Sequence, residues 1–131
     1  MLELRTLPVE AVDRCIENGE FDNDVTAAAE HVAIVMTQGW CPQWIAMKHY
    51  LERIAREGAV ASGADQADES KTVVVYTLVY DQIEAFGRFR NLKETVFEND
   101  LIPYIRYYKD GRLTDTSNFV GRKEFLQRAT K

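Results

Sequence analysis

The chain has 131 residues, of which 46% are hydrophobic and 28% are charged. This length suits one compact domain with its own core and is too short for two ordinary domains. The net charge of −5 and the isoelectric point near 5.1 argue against a general affinity for nucleic acid or anionic membranes.

The sequence also predicts where the protein acts. No apolar stretch approaches the ~20 residues that a membrane span needs. The opening residues, Met1 to Arg5, lack the basic-then-apolar order of a signal peptide. We therefore expect a single domain over 1–131 in the cytoplasm, with no membrane and no nucleic acid among its partners.

The residues that bind metals or form disulfides are few. Two cysteines, Cys15 and Cys41, lie far apart, so they form no disulfide framework and their pairing cannot be inferred from sequence. With His31 and His49 they make four scattered ligands, and none is spaced as in a zinc site. We expect neither a metal nor a cofactor.

Residues 1–19 are predicted to form an N-terminal helical extension. Pro8 is acceptable in a first helical turn, and Asn18-Gly19 supplies a stop. Cys15 lies beside the apolar stripe of this helix, which favours a buried structural thiol. The stripe is formed by Val9, Val12 and Ile16.

A buried strand is predicted in the next segment. After a short helix over about Asp24 to Glu30, the run Val32 to Met36 has no polar alternation, as in a central strand buried on both faces. His31 is interpreted as a strand-end residue. Pro42 then opens a helix, where its missing N–H costs nothing, and this helix runs to Gly58.

The middle of the chain contains a loop, a strand and a helix. Residues 58–71 are small, polar and acidic and are predicted to form a flexible internal loop. The β-branched and aromatic run Thr72 to Tyr80 predicts a strand. A helix follows over Ile83 to about Val96. Three basic residues of this helix are interpreted as lying on a solvated face and not as an anion-binding site: Arg88, Arg90 and Lys93.

The last third predicts a hairpin and a closing helix. Asp110-Gly111 separates two strand-like runs, Ile102 to Lys109 and Arg112 to Val120, and Asp-Gly there is the strongest short hairpin signal. Gly121 starts the last helix. The order of helices and strands predicts an α/β sandwich with a mixed sheet.

This order and its motifs resemble the thioredoxin superfamily along most of the chain. The resemblance implies a thioredoxin-like three-layer sandwich, in which helices flank a mixed central sheet, here with an extra N-terminal helix. It also implies a cis bond before Pro103. In chain order the matching pieces are Phe21–Val25, Val32–Thr37, Trp40-Cys41, Thr77–Asp81, Ile102-Pro103, Tyr108–Arg112, Phe119–Gly121 and Glu124–Leu126.

The sequence departs from the family pattern at the Trp-Cys-Gly-Pro-Cys site and in the strand before it. Cys41 matches the nucleophile, whereas Trp44 occupies the position of the resolving cysteine. Val35 stands where thioredoxins have a buried aspartate that assists proton transfer to the second cysteine. Thr37 replaces a family tryptophan. The resemblance therefore implies a single-cysteine site without dithiol reductase activity.

Glutathione is a further candidate partner. Pro42 directly after the cysteine resembles the Cys-Pro-Tyr-Cys site of glutaredoxins. Those proteins usually hold glutathione with a Gly-Gly-x-Asp turn at the last helix, and the corresponding residues here, Ser117 to Arg122, do not match it. This mismatch argues against a glutathione-specific site and leaves glutathione as an alternative partner beside protein thiols and disulfides.

Two functions from different classes remain open. In the first, Cys41 is the catalytic residue of a monothiol redox or sensor protein, because a helix N-terminus stabilises a thiolate. We expect its sulfur to be partly accessible at the start of the helix, although burial between Trp40 and Trp44 would oppose this. In the second, the protein is a redox-inactive module whose groove holds an extended partner segment. Either way the predicted binding residues are Trp40, Pro42, Gln43, Trp44, Ile102 and Pro103; for Trp44, simple core packing is the alternative.

Overall fold

A computed structural model describes residues 1–58 and 71–131 of the chain. Residues 59–70, which carry the predicted flexible loop, lie outside the described residues. The strands are β1 (Leu2–Thr6), β2 (His31–Thr37), β3 (Val73–Val79), β4 (Tyr104–Lys109) and β5 (Arg112–Ser117). The helices are α1 (Val9–Asn18), α2 (Asn23–Thr26), α3 (Pro42–Glu57), α4 (Phe86–Thr95) and α5 (Arg122–Ala129), and a 3₁₀ turn spans Tyr80–Gln82.

The five strands form one mixed sheet in the order β1-β3-β2-β4-β5. β3 is parallel to both β1 and β2, whereas β4 is antiparallel to β2 and to β5. All seven residues of β2 are buried, as its unbroken apolar run predicted. The β4–β5 hairpin turns at Asp110 and Gly111, both with positive φ, as the Asp-Gly signal predicted.

Helices cover both faces of the sheet, which gives three layers. One core packs α3 and α5 against the face that carries Ala33, Val35 and Ile105. The other packs α1 and α4 against the face that carries Ile34 and Met36. The predicted three-layer architecture with a mixed sheet is confirmed.

The N-terminal prediction was wrong in one respect. Residues 1–19 are not a purely helical extension, because Leu2–Thr6 form strand β1 and pair with β3 before helix α1 begins. The pairing joins segments about 70 positions apart, with Leu2 opposite Val73, and such a partner cannot be read from five residues.

Two helices begin or end elsewhere than predicted. The helix expected over about Asp24 to Glu30 ends at Thr26, because the chain turns there to enter β2, and the Asp110 amide donates to the Glu30 carbonyl. The helix expected from Ile83 starts only at Phe86, after the 3₁₀ turn. Lys93 is also not on a solvated face, since it is 1% exposed.

Candidate functional site

The site forms where two neighbouring strands of the sheet meet their loops. β2 and β4 are antiparallel, with Met36 opposite Tyr104. The residues that follow β2 and those that precede β4 therefore leave the sheet at the same edge. This register brings Cys41 to the Ile102–Pro103 segment, whose peptide bond is cis.

Cys41 is the N-cap residue of α3. Its backbone is extended (φ −72°, ψ 120°), and its carbonyl accepts the first helical bond from the Ile45 amide at 3.1 Å. Pro42 occupies the first helical position, and the first turn contains no acidic side chain. The helix terminus therefore directs unpaired N–H groups and a partial positive charge toward the residue that carries the sulfur.

The Cys41 sulfur is more enclosed than predicted. The residue is 5% exposed, in a core cluster with Trp44 and Met47. Its Sγ lies 4.0 Å from the carbonyl oxygen of Ile102. That oxygen can accept a hydrogen bond from the protonated thiol but offers nothing to a thiolate. Part of this enclosure comes from a loop 61 positions later in the chain, which the sequence around Cys41 does not reveal.

The two tryptophans beside Cys41 have opposite environments. Trp40 is 66% exposed and its indole N–H donates to the Gln38 side chain at 2.7 Å. Trp44 is 5% exposed and packs in the core with Met47 and Leu51. The sulfur is thus not buried between two tryptophans. Trp44 fills the core on the inner face of α3 and does not form an open groove surface.

The other predicted binding residues line the approach to the sulfur to different degrees. Pro42 and Gln43 are exposed on the first turn of α3. Ile102 is half-buried, and Pro103 is buried. Leu101, which sequence reasoning did not single out, is 61% exposed directly before Ile102.

A set of polar residues that the sequence did not single out holds the turn before Cys41. The Gly39 amide donates to the Asp81 carboxylate at 2.9 Å. The Gln38 side chain donates to the hydroxyl of Tyr80 at 3.2 Å. Because β2 and β3 are parallel, the residues after each strand leave at one edge. That rule could have placed Asp81 beside the site.

The second cysteine lies in a different layer. Cys15 is fully buried in the core between α1 and the sheet, whereas Cys41 belongs to the core under α3. Both thiols are free. Burial raises the pKa of Cys15 to about 12, and the nearby Glu20 acts in the same direction. Cys15 is therefore a protonated packing residue.

The described ranges, 1–58 and 71–131, contain neither a metal-binding cluster nor a membrane-spanning helix. They contain no cluster of three or more histidine, cysteine or acidic side chains that could hold a metal ion. None of their helices has both the length and the apolar character that crossing a bilayer requires.

Half of the chain is similar in sequence to a curated protein. No family model matches the chain. Over 66 residues the chain is 30% identical to the thiol:disulfide interchange protein DsbE of Haemophilus influenzae. The matched segment covers 50% of this chain and 36% of that protein. The match thus spans about a third of the relative's length.

Solved structures match over nearly the whole chain. Thioredoxin O1 of Arabidopsis thaliana has a TM-score of 0.57 at 12% identity, over 99% of this chain and 98% of that one. Thioredoxin of Plasmodium falciparum has a TM-score of 0.56 at 13% identity over the full length of both chains. Trxlp of Edwardsiella tarda has a TM-score of 0.55 at 12% identity, over 98% and 100%. The chain has a thioredoxin-like fold.

Proposed function

We propose that the protein is a monothiol that takes part in thiol–disulfide exchange through mixed disulfides at Cys41. The observation that carries the proposal is the position of Cys41 at the N-cap of α3, next to the unpaired N–H groups and the positive end of the helix dipole. The partial likeness to a thiol:disulfide interchange protein supports the same class of chemistry.

The exchange needs one cysteine of this chain and two external thiol groups. The Cys41 thiolate attacks one sulfur of a disulfide, the S–S bond breaks, and the other sulfur leaves as a thiolate that takes up a proton. The product is a mixed disulfide at Cys41. An external thiolate then attacks the partner's sulfur in that bond, Cys41 leaves as a thiolate, and the external thiol stays joined to the partner in a new disulfide. A second external thiol reduces this disulfide, so the two external thiols together supply the two electrons of net reduction.

The positions of Trp44 and Cys15 support a mechanism in which no second thiol of this chain releases Cys41. Trp44 stands on α3 where a resolving cysteine would reach back to Cys41, and it is buried in the core. Cys15 lies in the core on the opposite face of the sheet. We therefore expect long-lived mixed disulfides that wait for an external reductant.

The test is trapping on a Cys15→Ala background, which leaves Cys41 alone. Incubation with 2,2′-dithiodipyridine should convert the protein to a pyridyl mixed disulfide, detected as an increase in mass and as released 2-thiopyridone. A thiol such as glutathione should then restore the free protein. A Cys41 that stays unreacted for hours in the folded protein, and reacts only after unfolding, would overturn the proposal.

The second candidate function is a redox-inactive binding module. This function is favoured by the 5% exposure of Cys41 and by two exposed apolar residues, Trp40 directly before Cys41 and Leu101 directly before Ile102. In this function the surface around Ile102 would hold an extended segment of a partner protein. An inert Cys41 combined with binding of a partner that Trp40→Ala abolishes would favour this function.

The partners and the location are part of the proposal. We propose protein thiols and disulfides as the main partners, with glutathione as the external thiol that releases Cys41. Glutathione is supplied in the cytoplasm, which we propose as the compartment. Equal rates of release by glutathione and by dithiothreitol at matched thiolate concentrations would argue against any specific glutathione site.

A further inference from the structure

Lys93 is a buried cation directed at backbone oxygens of the loop that leads to the site. It lies on α4 and is 1% exposed. Its ammonium group donates to the carbonyl of Leu101 at 2.7 Å and to that of Asn99 at 2.9 Å. The Nζ atom also lies 5.6 Å from the centre of the Tyr104 ring. Burying an ammonium group costs free energy unless the group is hydrogen-bonded. The loop oxygens supply these hydrogen bonds and so stabilise Lys93 in its buried position.

Two asparagines hold the other side of the same loop. The side chains of Asn99 and Asn118 exchange a pair of hydrogen bonds, each 3.1 Å long. The Asn118 amide also donates to the carbonyl of Pro103 at 3.0 Å. The Asn99 side-chain oxygen in turn accepts the Leu101 amide at 3.0 Å. The loop is thus fixed from both sides of the Ile102–Pro103 segment.

The fixed loop contacts the sulfur through the one residue between these anchors. The carbonyls of Leu101 and Pro103 are held by Lys93 and Asn118, and the carbonyl between them, that of Ile102, lies 4.0 Å from the Cys41 Sγ. Rotation of either neighbouring peptide group would therefore move the Ile102 oxygen relative to the sulfur. The orientation of the Ile102 carbonyl depends on side chains from α4 and from the segment after β5.

We propose that Lys93, with Asn99 and Asn118, forms a clamp of positioning residues that holds the Ile102 carbonyl over Cys41 and so selects peptide disulfides over small ones. The inference rests on the proposed exchange at Cys41. The clamped loop narrows the approach to the sulfur, which slows a small disulfide reagent. Such a reagent makes no stabilising contacts with the loop that would offset this effect. A peptide disulfide lies along Leu101 and Ile102 while its sulfur reacts, so it needs that surface held in place.

Two disulfide probes with the same leaving group distinguish restricted access to the sulfur from binding of a peptide along the loop. The small probe is 2,2′-dithiodipyridine, and the second is a six-residue peptide whose cysteine carries a 2-pyridyl disulfide. Attack by Cys41 on either probe releases 2-thiopyridone, so both rates are read at one wavelength on the Cys15→Ala background. In the Lys93→Met variant we expect the small probe to react at least twofold faster and the peptide probe at least fivefold slower.

Two variants complete the design. Arg88→Met removes one positive charge from an exposed position of the same helix, and both of its rates should match those of the parent. Asn118→Ala loosens the loop from the other side without touching α4, and should show the same opposite changes as Lys93→Met. It decides the matter if Lys93→Met does not fold.

The outcomes distinguish the clamp from general damage and from failure of the proposed function. Loss of structure would expose the sulfur and raise both rates, so a rise in both overturns the clamp. Unchanged rates, or a fall in both, in Lys93→Met and Asn118→Ala also overturn it and leave exchange at Cys41 intact. A wild-type Cys41 that reacts with neither probe overturns the proposed function and the clamp together.

Discussion

The backbone amide of Gly39 donates a hydrogen bond of 2.9 Å to the carboxylate of Asp81, which ties the turn before Cys41 to the segment after β3. The turn itself makes a further bond, from the Cys41 amide to the Gln38 carbonyl at 3.3 Å. The start of α3 is therefore fixed by side chains from a neighbouring strand end as well as by its own sequence.

Replacing Asp81 should weaken this turn. In Asp81→Ala the Gly39 amide loses a charged acceptor in a half-buried place, and we expect a loss of about 1–2 kcal/mol in the free energy of unfolding. Asp81→Asn keeps an oxygen acceptor and should lose less than half as much. Urea denaturation of both variants measures the difference. Equal losses in the two would mean that the hydrogen bond to Gly39 does not stabilise the turn.

The two tryptophans should respond differently to truncation. Trp44 is 5% exposed and Trp40 is 66% exposed. We expect Trp44→Ala to lower the free energy of unfolding by about 3 kcal/mol or more, since it empties a large core site. Trp40→Ala should change it by no more than ~0.5 kcal/mol. Denaturation curves for the pair provide the comparison, and comparable losses would contradict the environments described for them.

The elements with strong local patterns were predictable, and those that depend on distant partners were not. The apolar run of β2 and the Asp110-Gly111 turn follow from local chemistry, and both were predicted. Strand β1 contains only two apolar residues, Leu2 and Leu4, and is stabilised by pairing with β3. Nothing local distinguishes it from the start of a helix.

The site shows the same division between local and distant causes. The position of Cys41 at the start of α3 follows from Pro42, which the sequence places there. Its enclosure depends on the Ile102 carbonyl. The helical period places Lys93 on the inner face of α4, but its positive charge led to the prediction that it is exposed to solvent. Its burial is stabilised by the carbonyl oxygens of Asn99 and Leu101, and the pattern of charges in the sequence does not show that these oxygens lie nearby.

Cys15 should not react with alkylating reagents in the folded protein. It is fully buried, and burial raises its pKa to about 12. We expect iodoacetamide at pH 8 to label one site in the native protein, Cys41, and two sites after denaturation. Peptide mapping by mass spectrometry identifies the labelled residue. Labelling of native Cys15 at a rate like that of Cys41 would contradict its position in the core.

The same burial predicts that classical dithiol reductase activity is absent. With excess dithiothreitol, the protein should not accelerate insulin reduction as a thioredoxin does, and Cys15→Ala should behave like the wild type. An acceleration that disappears in Cys15→Ala would show that Cys15 resolves the mixed disulfide at Cys41.

The buried ammonium of Lys93 should make stability depend on pH in the mildly alkaline range. Burial lowers the pKa of Lys93 from 10.5 to about 8, against the opposing influence of Glu94 and Asp100. Between these two values the unfolded chain binds more protons than the folded one, so stability contributed by this group rises with pH. From pH 7 to 9.5 the rise should be about 2 kcal/mol.

The measurement compares Lys93 with Lys93→Met, both in the Cys15→Ala background. That background is needed because the raised pKa of Cys15 has the opposite effect: the unfolded thiol ionises first, and stability falls as pH rises through the alkaline range. Urea denaturation at pH 7, 8, 9 and 9.5 gives the free energy of unfolding of each protein. The Lys93 protein should gain about 2 kcal/mol relative to Lys93→Met over this range. Parallel curves would mean that hydrogen bonds to the Asn99 and Leu101 oxygens outweigh burial and keep the amine charged throughout.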